Sequence, residues 1–288
     1  MGARGENKKR YWLLRLLVFF AVLLTSYILV QVGSAAAVRH LHIANPDWIG
    51  LAASLVSGAL MVVVYVALVR GMEQRSAREL SPRIAFAIAG IVLGVAAFTA
   101  VFVLLQLAGV ARWQGINAHF NPLPMLAAAL LAAVGEELAF RGALFRILEE
   151  SLGSSIALAI SAVIFGLLHA ANPGATAVST AAIALEAGVL LSASYALTRN
   201  LWFPIGLHLG WNFTEGGLFG ASVSGGTASK GLFAVALQGP QLLTGGRFGP
   251  EASIIAVALS LIVSLVMITL AVRARRWLGT AWRAANAA

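Results

Sequence analysis

Eight apolar runs, each close to the length that crosses a bilayer, leave this chain few folds to choose from. They are roughly Trp12–Val32, Ile49–Val69, Ile84–Leu107, Pro124–Leu148, Ser154–Ala170, Thr176–Leu197, Leu201–Leu218 and Ser253–Val272. A hydrocarbon core of ~30 Å takes ~20 helical residues. Lipid offers the backbone no partners, so such runs fold as helices that satisfy their own N–H and C=O groups. The fifth and seventh runs are short, which a helix enclosed by protein tolerates. With 60% hydrophobic residues and only 11% charged, the chain has too little polar surface for a soluble core of this size.

A net charge of +9 would suit a nucleic-acid binder, but the basic residues cluster at the ends of the apolar runs. That placement is a membrane-orientation signal. With the N-terminus inside, 15 lysines and arginines, from Arg4 and the Lys8-Lys9-Arg10 cluster to Arg283, fall on the cytoplasmic side. Arg39, Arg112, Lys230 and Arg247 fall opposite, and Arg141 completes the 20. The expected fold is therefore all-α: a polytopic transmembrane bundle of about eight spans, both termini cytoplasmic. Its partner is the lipid bilayer, most naturally a bacterial inner membrane, and no nucleic acid. The first run, at about 20 residues, is too long for the ~7–15 of a signal-peptide core, so it is expected to remain as a helix. The absence of cysteine excludes disulfides, thiol catalysis and cysteine-ligated metals.

Two connections stand out. Arg70–Arg83 reads as a charged, solvated cytoplasmic turn. Gly216–Pro250, rich in glycine, reads either as a re-entrant or interfacial segment lying over the bundle or as a flexible external loop. No internal repeat is present, which weighs against a transporter built from duplicated halves.

The fourth run carries what does not belong in hydrocarbon, namely Glu136, Glu137 and Arg141. Each such group costs ~2.5–3.5 kcal/mol at a helix centre. Together they approach the net stability of a whole domain, so a buried site or a structural ion pair must offset them. Residues four apart share a helix face. Glu137 can thus pair with Arg141, and His208 with Asn212, while Glu136 points about a quarter-turn away. His169 lies near the end of the fifth run and Glu186 near the centre of the sixth. The bland readings are a satisfied core histidine, hydrogen-bonding glue between helices, and a structural buried acid at Glu186. At ~1.5 Å per residue from the cytoplasmic ends, Glu136, His169 and His208 lie ~18, ~22 and ~10 Å deep. Their convergence requires tilt, a break, or deeper helix ends.

Elimination narrows the chemistry. An intramembrane aspartyl protease needs two aspartates, and the only one is Asp47, outside the runs. Ser222 and Ser224 lie in the long loop, and no His-Glu-x-x-His zinc helix exists. What remains is glutamate and histidine, suited to activating water, with His and Asn donors suited to an oxyanion.

Glu136-Glu137-x-x-x-Arg141, Phe165-x-x-x-His169 and His208-x-x-x-Asn212, in that order on separate runs, resemble the CPBP family. These are the type II CAAX prenyl proteases and bacteriocin-processing enzymes, also called Abi proteins. The resemblance covers about Pro124 to Glu215. It implies an intramembrane endopeptidase in which Glu136, assisted by His169, activates water, and His208 and Asn212 bind the oxyanion. Glu137, Arg141 and Phe165 would hold the site in shape. Glu136, His169 and His208 could ligate zinc, but they suit metal-free water activation equally. The substrate would be a peptide or a membrane-associated protein. On this reading residues 1–123 form three N-terminal transmembrane helices and 124–218 the catalytic core. Residues 219–252 form the Gly-rich loop, and 253–288 the last helix with a basic tail. Two rivals remain at this stage: a non-proteolytic scaffold or immunity protein of the same family, and a proton- or ion-coupled transporter using Glu136, Glu137 and Glu186.

Overall fold

The computed structural model describes residues 11–40 and 46–279; Lys8-Lys9-Arg10 and Arg283 lie outside them. The chain forms α1 (Trp12–His40), α2 (Pro46–Glu73), α3 (Ile84–Leu107), α4 (Leu123–Leu152), α5 (Ser154–His169), α6 (Ala177–Thr198), α7 (Trp202–Asn212) and α8 (Ile254–Arg273). These coincide with the eight apolar runs to within a few residues, except that α1 continues to His40. Six of them, α1, α2, α3, α4, α6 and α8, are long and apolar enough to cross a membrane. The other two are short, as expected: α5 has 16 residues, and α7 has 11 before it widens into a π-helical turn over Phe213–Leu218. Large apolar side chains such as Val56, Ile84, Val92 and Leu265 stand exposed on the outside of the bundle, as lipid-facing residues do.

Local signals set several helix ends. Gly153, at φ +82°, makes the tight reversal from α4 into α5 that a residue with a Cβ would resist. Thr176 and Ser179 form a reciprocal capping box at the start of α6, and Ser253 Oγ accepts the Ala256 N–H at 3.1 Å to cap α8.

The closest packing in the bundle joins α3 to α7 through two facing Gly-x-x-x-Gly pairs, Gly90/Gly94 and Gly206/Gly210. A Cβ on Gly206 would stand 2.2 Å from the Ala87 carbonyl oxygen, and one on Gly94 would stand 2.3 Å from that of Leu207. Backbones this close gain dispersion and weak Cα–H···O contacts that lipid cannot supply. Both obstacles are backbone and cannot swing aside. Gly206→Ala is therefore expected to cost at least ~1–3 kcal/mol, read as a lowered unfolding midpoint in detergent; an unchanged midpoint would show that α3 can retreat freely.

Two connections differ from expectation. The Arg70–Arg83 turn is not merely solvated: Glu73 and Glu79 are buried in an ion-pair network at that end of the bundle. Glu73 receives Arg146 at 2.8 Å, Arg15 at 3.1 Å and Arg75 at 2.6 Å, and Arg75 also binds Glu79 at 2.8 Å. The Tyr65 hydroxyl lies 2.5 Å from Glu79 Oε1 and 3.0 Å from the Gly142 carbonyl. Charges on α1, α2 and α4 that look independent in sequence thus neutralise one another. Burial by itself would raise the Glu79 carboxyl, but the Arg75 and Tyr65 hydrogen bonds and the Arg146 charge hold it below the ordinary 4.5. A depressed carboxyl contributes stability above about pH 4.5 and loses it as pH falls through its folded value. Acid unfolding should therefore steepen below that pH in the wild type and be flatter in Glu79→Gln, followed by circular dichroism.

The second difference lies in Gly216–Pro250. Phe233–Leu237 is a β-strand, β2, paired antiparallel with β1 (Ala111–Ile116), with Ala111 opposite Leu237 and a bulge between Trp113 and Gly115. The segment is thus anchored by a strand pair to the connection between α3 and α4 and is not a free loop. The Ala-rich, short β2 run carries no polar alternation that would have marked it as a strand.

Candidate active site

The motif helices α4, α5 and α7 meet around a cavity of about 800 Å³, within the usual size of a ligand site. Leu24, Tyr27 and Ile28 of α1 form one wall, and Ser224 and Thr227 of the long connection close another. Glu136, His169 and Asn212 border it from three separate helices.

Glu136 sits where α4 leaves regular α-helix. Leu138–Phe145 is π-helical, and similar wide turns occur at Ala184–Gly188 in α6 and directly after Asn212 in α7. Such turns add a residue to the helical register and recur at functional sites. Glu136 Oε1 receives the Tyr27 hydroxyl at 3.5 Å. Its Oε2 is buried with no hydrogen-bond partner among the described residues, and it lies 4.0 Å from His169 Nε2. His169 Nδ1 donates to the Phe165 carbonyl at 2.8 Å, so in the neutral imidazole it is Nε2 that carries the lone pair and faces Glu136. A gap of 4.0 Å between two acceptors has room for a water that donates to both.

Glu137 faces the other way. Its Oε1 accepts Arg141 at 2.9 Å and His208 Nδ1 at 3.0 Å. Arg141, fully buried, also donates to the carbonyls of Ala187 and Gly188 at 3.0 and 3.2 Å, tying α4 to the wide turn of α6. Phe165 packs beneath it, its ring centre 4.8 Å from the guanidinium carbon, and lies 4.5 Å from the His169 ring. The Glu137–Arg141 pairing expected from helix spacing is present. The His208–Asn212 pairing is not: His208 turns to Glu137 instead. His208 borders a smaller cavity behind Asn212, not the large one.

The side chains converge despite their different distances along their helices: His169, the last residue of α5, stands 4.0 Å from Glu136, and His208, six residues into α7, stands 3.0 Å from Glu137. The candidate metal set of Glu136, His169 and His208 is not gathered: two members face the large cavity, and the third is committed to Glu137. Among the described residues no group of three or more metal-ligating side chains is arranged to hold an ion.

Sequence reading missed two buried glutamates, Glu215 and Glu251. Glu251 Oε1 accepts the Ser224 N–H at 2.6 Å, and Glu215 Oε1 accepts the Glu251 N–H at 3.1 Å. Asn172, just beyond α5, donates to the Ser224 carbonyl at 3.0 Å. These bonds fix the connection that roofs the cavity. The signal was available at Glu215, seven residues past His208 and so on the same helix face.

The fold and site define an integral membrane protein whose ionisable side chains converge on a cavity between helices. Residues 118–214, about a third of the chain, match a family described as type II CAAX prenyl endopeptidase Rce1-like. The resemblance carried by the three motifs is thereby supported independently, and the matched segment is CAAX-protease-like at the level of the family. Comparisons with curated proteins and with solved structures give no match.

Proposed function

We propose that this protein is an intramembrane endopeptidase that hydrolyses a peptide bond of a membrane-associated peptide or protein with water activated by Glu136 and His169. The observation that carries this reading is the unpartnered Glu136 Oε2 facing His169 Nε2 at 4.0 Å on the cavity. A water held there donates one hydrogen to each acceptor and turns a lone pair toward a substrate carbonyl. As its oxygen bonds to the carbonyl carbon, Glu136 takes the proton and the carbonyl oxygen becomes an oxyanion. The Asn212 amide, on the cavity wall, donates to that oxyanion, with His208 behind it. Collapse breaks the C–N bond, and Glu136 returns its proton to the departing amine. Glu137 and Arg141 hold α4, α6 and α7 in register around this centre. The apolar wall from Leu24 to Met125 favours a substrate segment or chain presented from the lipid.

The test is hydrolysis of a mixed peptide library, prenylated members included, by the purified protein in liposomes with and without a chelator. Asn212→Ala is expected to slow cleavage by ~10²–10³-fold, the usual effect of losing one oxyanion donor. Tight peptide binding with no product in any lane would instead favour a scaffold.

A further inference from the structure

Behind Asn212 lies a second, small cavity of about 20 Å³, lined by Glu186, His208, Trp211, Asn212 and Glu251 among others. Two of its buried polar atoms, Glu186 Oε2 and the Trp211 indole Nε1, have no hydrogen-bond partner among the described residues. Glu186 is 2% and Trp211 4% exposed. Buried polar groups are almost always satisfied, so two orphans on one small cavity point to a shared ligand. One orphan is a donor, and the other is a carboxyl oxygen that can accept. A metal cation could serve the carboxyl but has nothing to offer an indole N–H. Water serves both, and roughly 10–15 Å³ is what a single water needs.

We propose that this chamber binds one structural water, which accepts the Trp211 N–H, donates to Glu186 and hydrogen-bonds the Asn212 amide. Asn212 borders both cavities, and its side chain has no hydrogen bond to another described residue. The water therefore fixes which way the amide faces, and Glu186 and Trp211 are positioning residues for Asn212. The functional half of this inference rests on the proteolytic reading above; the water site does not.

Ultraviolet resonance Raman reads the indole N–H directly. Trp211 is one of 7 tryptophans, so the difference spectrum of wild type against Trp211→Phe isolates it. The expected result is a hydrogen-bonded indole in the wild type and in Glu186→Gln, and a free one in Glu186→Leu. Cleavage should follow the same order. Glu186→Gln stays near wild type, and Glu186→Leu loses about tenfold in kcat at unchanged KM, less than the ~10²–10³ for removing an oxyanion donor outright. A free indole in the wild type overturns the water site, even if the leucine variant fails to fold. A changed spectrum with undiminished kcat overturns the positioning role. A wild type that cleaves nothing counts against the proteolytic reading, and the spectra then decide the water site alone.

Discussion

Glu136→Gln is expected to lower kcat by ~10²–10⁴-fold, the usual worth of a positioned general base, while the protein folds and binds peptide as before. The substitution is nearly isosteric, so the cavity keeps its shape. An amide cannot accept the water's proton. If its NH₂ takes the Oε2 position, it presents a donor where the water needs an acceptor, on the gap of 4.0 Å to His169 Nε2. The Tyr27 hydroxyl, 3.5 Å from Oε1, retains an oxygen to bind and favours that orientation. Little structural penalty is expected, because Oε2 has no hydrogen bond to lose among the described residues. Single-turnover cleavage of a substrate peptide, with its Kd measured in parallel, separates chemistry from binding. Undiminished cleavage by Glu136→Gln would remove Glu136 from the mechanism and return attention to His169 and the second cavity.

Glu137→Ala is expected to be the most destabilising single change in the site, at ~3–5 kcal/mol. The loss is larger than that of one hydrogen bond because of what remains. Arg141 is fully buried, and without Glu137 its charge keeps, among the described residues, only the neutral Ala187 and Gly188 carbonyls at 3.0 and 3.2 Å and the Phe140 and Phe165 rings. His208 loses its Nδ1 partner at the same time. Removing both charges is gentler, since a buried ion pair seldom outperforms apolar packing. Glu137→Leu combined with Arg141→Met should therefore recover part of the stability while leaving the enzyme inactive. A double-mutant cycle on the unfolding midpoint measures the coupling. Near-additive losses would show that Arg141 finds other compensation and that Glu137 does not link α4 to α6 and α7.

Much of this molecule was legible in one dimension because the bilayer simplifies the problem. Lipid forces each long apolar run to satisfy its own backbone, so α2 to α8 could be bounded to within a few residues, with the short α5 and α7 standing out, while α1 runs on past the expected Val32 to His40. Ionisable groups in such runs are costly enough that Glu136, Glu137, Arg141, His169 and His208 announced themselves, and helical period alone placed Glu137 beside Arg141. The same reasoning erred where helix spacing competed with tertiary partners. His208 is four residues from Asn212, yet Glu137 on another helix offers it a stronger, charged acceptor. Arg70–Arg83 looked solvated because Arg15 and Arg146, which bury Glu73, lie far away in the chain. The facing glycines of α3 and α7 were visible only as composition, since a Gly-x-x-x-Gly pair acquires meaning when another backbone is found against it.

Sequence alone determined that this chain is a helical membrane protein with a Glu–His–Asn constellation, because insertion cost and helical period are local properties. Tertiary structure decided how that constellation is divided. Which oxygen of which glutamate meets which histidine depends on wide helical turns and on backbones packed at close range, and those are set by contacts between residues distant in the chain. Glu136 and His169 were thereby turned to the large cavity, Glu137 and His208 to each other, and Glu186, Glu215 and Glu251 to a polar interior that no run of neighbouring residues encodes.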